Sequence, residues 1–170
     1  MKSALLEKLK HLVSGKTERE TYPFSLLPTG IPKGSITEVS GVGKTELVLQ
    51  FLKENSELRV AWIEKTFSAY PFAFLQSEID LKRILFMDGQ KDLDWCVYQA
   101  LRAQVFQAVI VYSPDIELNS LRRIQLQSEK ALASTIWLTN EPKGAWPVSL
   151  RLQVHKDEDG IHTTLLKRRT

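Results

Sequence analysis

The chain has 170 residues, 43% of them hydrophobic and 25% charged, with a net charge of +3, as expected of one soluble globular domain with a real core. No run approaches the length of a transmembrane helix, the N-terminus lacks a secretory pattern, and the single cysteine, Cys96, excludes an internal disulfide, so a cytoplasmic location is expected. The mild positive charge permits contact with nucleic acid or an acidic partner but argues for neither.

Residues 3–14 set Leu5, Leu6, Leu9, Leu12 and Val13 on one side and Glu7, Lys8 and Lys10 elsewhere, which predicts an amphipathic helix. Gly15 and the polar run 16–21 break it. Residues 1–22 therefore read as an N-terminal helix and linker, and 23–170 as one domain. Such a helix folds back on its own domain or docks on another chain. Residues 27–34, with two prolines and two glycines, form a turn-rich approach to a β-prone run containing Ile36 and Val39.

A helix over 45–54 follows, with Leu47, Val48, Phe51 and Leu52 facing the core. Strands are expected at 59–63, 83–87, 108–112 and 135–139, and helices at 71–79, 92–104 and 118–132. The 59–63 run is almost continuously apolar, as strands buried on both faces are. Cys96 falls in a helical pattern as a small core residue. The runs 149–155 and 161–167 flank Asp159-Gly160, a tight-turn signal, and predict a terminal hairpin. Alternating strands and helices imply an α/β fold, a mostly parallel central sheet flanked by helices.

Chemistry concentrates between Ile36 and Leu52. A β-prone run leads into Gly41, Gly43, Lys44 and Thr45, and then a helix start. In a phosphate-binding loop, glycines let backbone N–H groups turn inward, the helix terminus adds partial positive charge, and the lysine adds a full one. A threonine hydroxyl after that lysine would hold Mg²⁺. The full pattern wants glycine where Glu38 stands, and a carboxylate at the mouth of the cradle would repel phosphate. Two readings stay open. One is a tight strand-to-helix turn that has lost its nucleotide. The other is weak binding of ATP with Mg²⁺ through Gly41, Gly43, Lys44 and Thr45.

The order of elements resembles the core of RecA-type recombinases. The approach 27–39, Gly43-Lys44-Thr45, Trp62-Ile63-Glu64, the strand ending at Tyr112, Leu138-Thr139-Asn140 and Val148-Ser149-Leu150-Arg151-Leu152 carry the resemblance over about residues 25–167. In length the chain is nearer the small RecA-like proteins of bacterial DNA-damage responses, the ImuA and SulA type. The resemblance implies a RecA-like P-loop fold with damaged chemistry. The family's water-orienting glutamate falls at Thr66, and Glu64 takes that place only if the alignment slips. The aspartate behind Mg²⁺ falls at Tyr112, which carries no charge at neutral pH, and Asn140 falls at the γ-phosphate sensor.

The family's DNA-binding loops correspond to short segments at 113–119 and 141–147. Lys143 and Trp146 offer a weak nucleic-acid contact, as does the basic tail Lys167, Arg168 and Arg169. The expected function is a non-catalytic RecA-like accessory protein of the DNA-damage (SOS) response, in recombination or translesion synthesis. It would bind a recombinase filament or a translesion polymerase subunit through Leu5, Leu9 and Leu12. The alternatives are a SulA-like cell-division inhibitor, with a tubulin-like division protein as partner, and a weak ATP-dependent switch.

Overall fold

A computed structural model describes residues 19–66 and 68–169. Short strands β1 (Thr21–Tyr22) and β2 (Ile31–Pro32) pair antiparallel ahead of the main sheet. Strand β3 (Ser35–Gly41) runs into helix α1 (Lys44–Glu54), then β4 (Val60–Glu64), α2 (Pro71–Gln76), β5 (Ile84–Asp88) and α3 (Leu93–Arg102). Strand β6 (Ala108–Tyr112), α4 (Leu118–Ala131), β7 (Ser134–Thr139), β8 (Leu150–Asp157) and β9 (Gly160–Arg168) complete the order.

Seven strands form one sheet in the order β5-β4-β6-β7-β3-β8-β9, parallel throughout except where β9 pairs antiparallel with β8. The expected mostly parallel sheet flanked by helices is present. Every residue of β4 is buried, as its apolar run implies for a strand covered on both faces.

Each face buries its own cluster. On one, Leu47, Val48, Phe51 and Leu52 of α1 join Val39, Trp62, Ile110, Leu138 and Leu152. Phe74 of α2 meets Trp62 and Phe86 edge-to-face, with ring centroids 5.0 Å and 5.2 Å away. On the other face, Val97, Ala100 and Leu101 of α3 and Leu121 and Ile124 of α4 join Ile36, Ala61, Ile63, Val109 and Trp137. Cys96 is only partly buried beside this cluster, and burial pushes its thiol pKa up, with Asp92 and Asp88 acting in the same direction.

Strand positions fall within a residue or two of expectation and α1 ends at Glu54 as expected, whereas α2, α3 and α4 end at Gln76, Arg102 and Ala131, short of the expected 79, 104 and 132. Helix α2 stops at Gln76 because Glu78 turns left-handed at φ 60°, and the N–H of Ile79 and Glu78 bond back to Phe74 and Leu75 carbonyls. Gln104 and Leu132 end α3 and α4 in the same left-handed conformation, at φ 55° and 52°. No glycine marks these stops, so the helical pattern reads past them.

Glu38 is corrected most sharply. It does not stand at the mouth of the strand-to-helix turn but is fully buried within β3. Its carboxylate accepts from Arg151 Nε at 2.6 Å and from the Lys143 backbone N–H at 2.5 Å, while Arg151 Nη2 donates to the Ala145 carbonyl at 3.2 Å. One carboxylate thus joins β3, β8 and the chain between β7 and β8. Arg151→Ala should leave a buried unpaired charge and lower unfolding free energy by about 3–5 kcal/mol in urea titration. The double change Glu38→Leu/Arg151→Met should recover most of that loss.

Candidate functional site

Only Val42 and Gly43 separate the end of β3 from the start of α1. Gly41 and Gly43 are left-handed, at φ 98° and 93°. A Cβ on Gly41 would come within 2.2 Å of the Val154 carbonyl oxygen, and one on Gly43 within 2.8 Å of Ile161 Cγ2. Both glycines are therefore required by the turn and by the close approach of β8 and β9. Val42 at the tip is 72% exposed.

The first turn of α1 carries no side-chain cap, because Gly43 occupies the N-cap position. Lys44 Nζ donates to Asn140 Oδ1 at 3.4 Å and stands 5.5 Å from the Tyr112 ring centroid. Burial lowers its pKa. An open depression of about 510 Å³ is lined by Gly41, Val42, Gly43, Lys44, Thr45, Glu46 and Asn140. The structure thus brings together the four expected phosphate contacts and the expected sensor.

The Mg²⁺ that would accompany ATP fits these residues poorly. Thr45 offers a hydroxyl, but the end of β6 presents Tyr112. Glu46, the one carboxylate among the described residues lining the depression, is ion-paired with Lys156. Asp115 beyond β6 pairs with Lys143 Nζ at 3.0 Å. Mg²⁺ favours a compact octahedral oxygen set with at least one carboxylate. Among the described residues, no group of three His, Cys, Asp or Glu side chains is placed to hold a metal.

Glu64 ends β4 and is 2% exposed. It accepts from Trp62 Nε1 at 2.6 Å, Ser68 Oγ at 3.0 Å and the Ala69 N–H at 3.2 Å, and also from the Ser68 N–H. These donors make it the anchor of the bend after β4. Thr66, in that bend, is exposed.

The expected nucleic-acid residues divide between two places. Trp146 is 47% exposed, lies 5.9 Å from the Arg122 guanidinium, and its carbonyl accepts from Lys167 Nζ at 3.4 Å. Burial lowers the Lys167 pKa, with Arg151 and Arg169 adding to the effect. Arg168 bonds instead to the hydroxyl and carbonyl of Thr29, and the Arg169 N–H donates to the Ser149 carbonyl at 2.7 Å. Lys167 and Arg168 thus belong to β9 rather than to a free tail. Sequence reasoning missed Arg122 beside Trp146, because the two lie on separate elements with no local spacing to connect them. Leu5, Leu9 and Leu12 lie outside the described residues.

Compared with known proteins, the chain matches no family model and no curated protein sequence. No helix among the described residues is long and apolar enough to cross a membrane.

The two halves of the motif should separate on mutation. Gly41→Ala should cost at least about 2 kcal/mol of stability, since it adds left-handed strain to a clash with backbone. Lys44→Ala should stay within about 0.5 kcal/mol of wild type, as a change at a partly exposed side chain. Urea unfolding of both variants checks this contrast.

Proposed function

We propose that the protein is a non-catalytic RecA-like accessory component of the bacterial DNA-damage response, serving recombination or translesion synthesis by binding a protein partner. The observation that carries this reading is the Lys44 ammonium standing over the Tyr112 ring beside Asn140. There the resemblance would place the acid behind Mg²⁺, and tyrosine supplies no carboxylate for that ion. The two-residue link before α1 and the hydrogen-bonded burial of Glu64 support the same reading. Phosphoryl transfer depends on positioning and charge stabilisation supplied together, so losses at several positions compound.

The partner in this reading is a recombinase filament or a translesion polymerase subunit, engaged through Leu5, Leu9 and Leu12. Nucleic acid enters only as a weak contact near Lys143, Trp146 and Lys167. A second reading, an ATP-dependent switch without turnover, is favoured by the Lys44–Asn140 contact and the open first turn of α1.

Co-sedimentation with a purified recombinase filament, and pull-down with a purified translesion polymerase, test the proposal. Wild type should bind at least one of them, and Leu9→Asp should weaken that binding at least tenfold with the domain still folded. Failure to bind either partner, or full binding by Leu9→Asp, would count against it.

A further inference from the structure

The central sheet ends on two unlike edges. Strand β5 is five residues long and finishes in Asp88, whereas β9 is nine residues long and has β8 as its sheet neighbour on one side. One row of β9 backbone N–H and C=O groups therefore faces away from the sheet. Proteins commonly blunt such an edge with a lysine, an acid or a proline inside the strand. Between Gly160 and Lys167 this strand reads Ile-His-Thr-Thr-Leu-Leu and carries none of the three. Leu165 and Leu166 are 49% and 42% exposed. The pairing irregularity with β8 falls beside Leu166, so the regular part of the edge runs from Gly160 to Leu165. That part is held flush with the sheet: Ile161 packs on the α1-side core, and Thr163 Oγ1 donates to the Leu26 carbonyl at 3.0 Å.

Charge is divided between the two ends of this strand. Asp157, Glu158 and Asp159 lead into it, all exposed, and Lys167, Arg168 and Arg169 close it. The basic end is not neutralised among the described residues. Lys167 Nζ reaches the Trp146 carbonyl, and Arg168 reaches the hydroxyl and carbonyl of Thr29. At the acidic end, Asp157 lies 3.1 Å from His162 Nε2, while Glu158 and Asp159 pair with no described cation.

A strand with acid at its start and base at its finish complements itself in one direction. Parallel pairing with a second copy would set like charges together, and antiparallel pairing sets opposite ones together. With the two-fold axis at Thr163, Ile161 stands opposite Leu165 of the second copy, and 157–159 stand opposite its 167–169.

We propose that β9 pairs antiparallel with β9 of a second copy of this chain in that register, joining two seven-stranded sheets into one. The outward backbone groups of both edges are then satisfied, and Leu165 leaves water against Ile161. The proposal does not rest on the accessory-protein reading.

Analytical ultracentrifugation of the full chain tests it. Wild type should sediment as a dimer at about 100 µM. Leu165→Lys, at an exposed position, should weaken association at least about tenfold by placing a charge within the paired edge. Charge exchange then checks the direction. Glu158→Lys/Asp159→Lys and Arg168→Glu/Arg169→Glu each set like charges at both ends of their own dimer, so each alone should be monomeric. An equimolar mixture of the two should recover the dimer, because opposite charges meet again at both ends. A monomeric wild type would overturn the proposal, as would a dimer that Leu165→Lys leaves unchanged, which would place the contact elsewhere. Folded charge variants that dimerise alone, or stay apart when mixed, would overturn it too. Leu165→Lys decides the matter by itself if either double variant fails to fold. No recombinase or polymerase enters this measurement, so its failure and that of the accessory-protein reading are told apart.

Discussion

The buried Glu38 carboxylate is the constraint from which the rest of the candidate site follows. It lies inside a central strand, and its charge is tolerated because Arg151 and the Lys143 N–H meet it at hydrogen-bond distance. Such a pair is weak as a source of net stability, because desolvation offsets the attraction. In the observed register of β8 against β3 the charge is met by Arg151 at 2.6 Å. Glu38 and Arg151 are neighbours in the parallel register, and three positions further on the same register sets Gly41 beside Val154. The Val154 carbonyl closes over Gly41, and Ile161 of β9 closes over Gly43. The residue that interrupts the phosphate-loop pattern thereby helps hold the strand that packs against the turn's glycines.

The Gly-Lys-Thr stretch follows from this packing. The glycines serve the turn, while Lys44 remains on the first turn of α1 and reaches across to Asn140 and Tyr112. Its positive charge has no free carboxylate among the residues lining the depression, since Glu46 is held by Lys156. Glu64, the alternative acid, accepts from both side chains and backbone as the bend after β4 folds over it. Buried carboxylates with several donors are common structural anchors, and this one fixes the approach to α2.

The sheet was legible in the sequence because burial on two faces leaves continuous apolar runs, as in Val60–Glu64 and Ala108–Tyr112. Helix ends were not, because Glu78, Gln104 and Leu132 adopt positive φ without glycine. Among site residues, Gly41, Gly43, Lys44 and Thr45 were readable from their local spacing, and Asn140 joined them only through the resemblance. The role of Glu38 was hidden, since its partner Arg151 lies 113 residues away and no local pattern joins them. The pairing of Arg122 with Trp146 was hidden for the same reason: long-range side-chain pairs leave no periodic trace.

The most direct measurement is phosphate release from Mg²⁺-ATP, with and without single-stranded DNA, for wild type and Lys44→Ala in parallel. Release at the protein-free rate in both is the expected result, and it would identify the Gly-Lys-Thr stretch as a packed turn without hydrolytic chemistry. Turnover by wild type that disappears in Lys44→Ala would contradict this, and would restore Glu64 or another acid as a participant in catalysis.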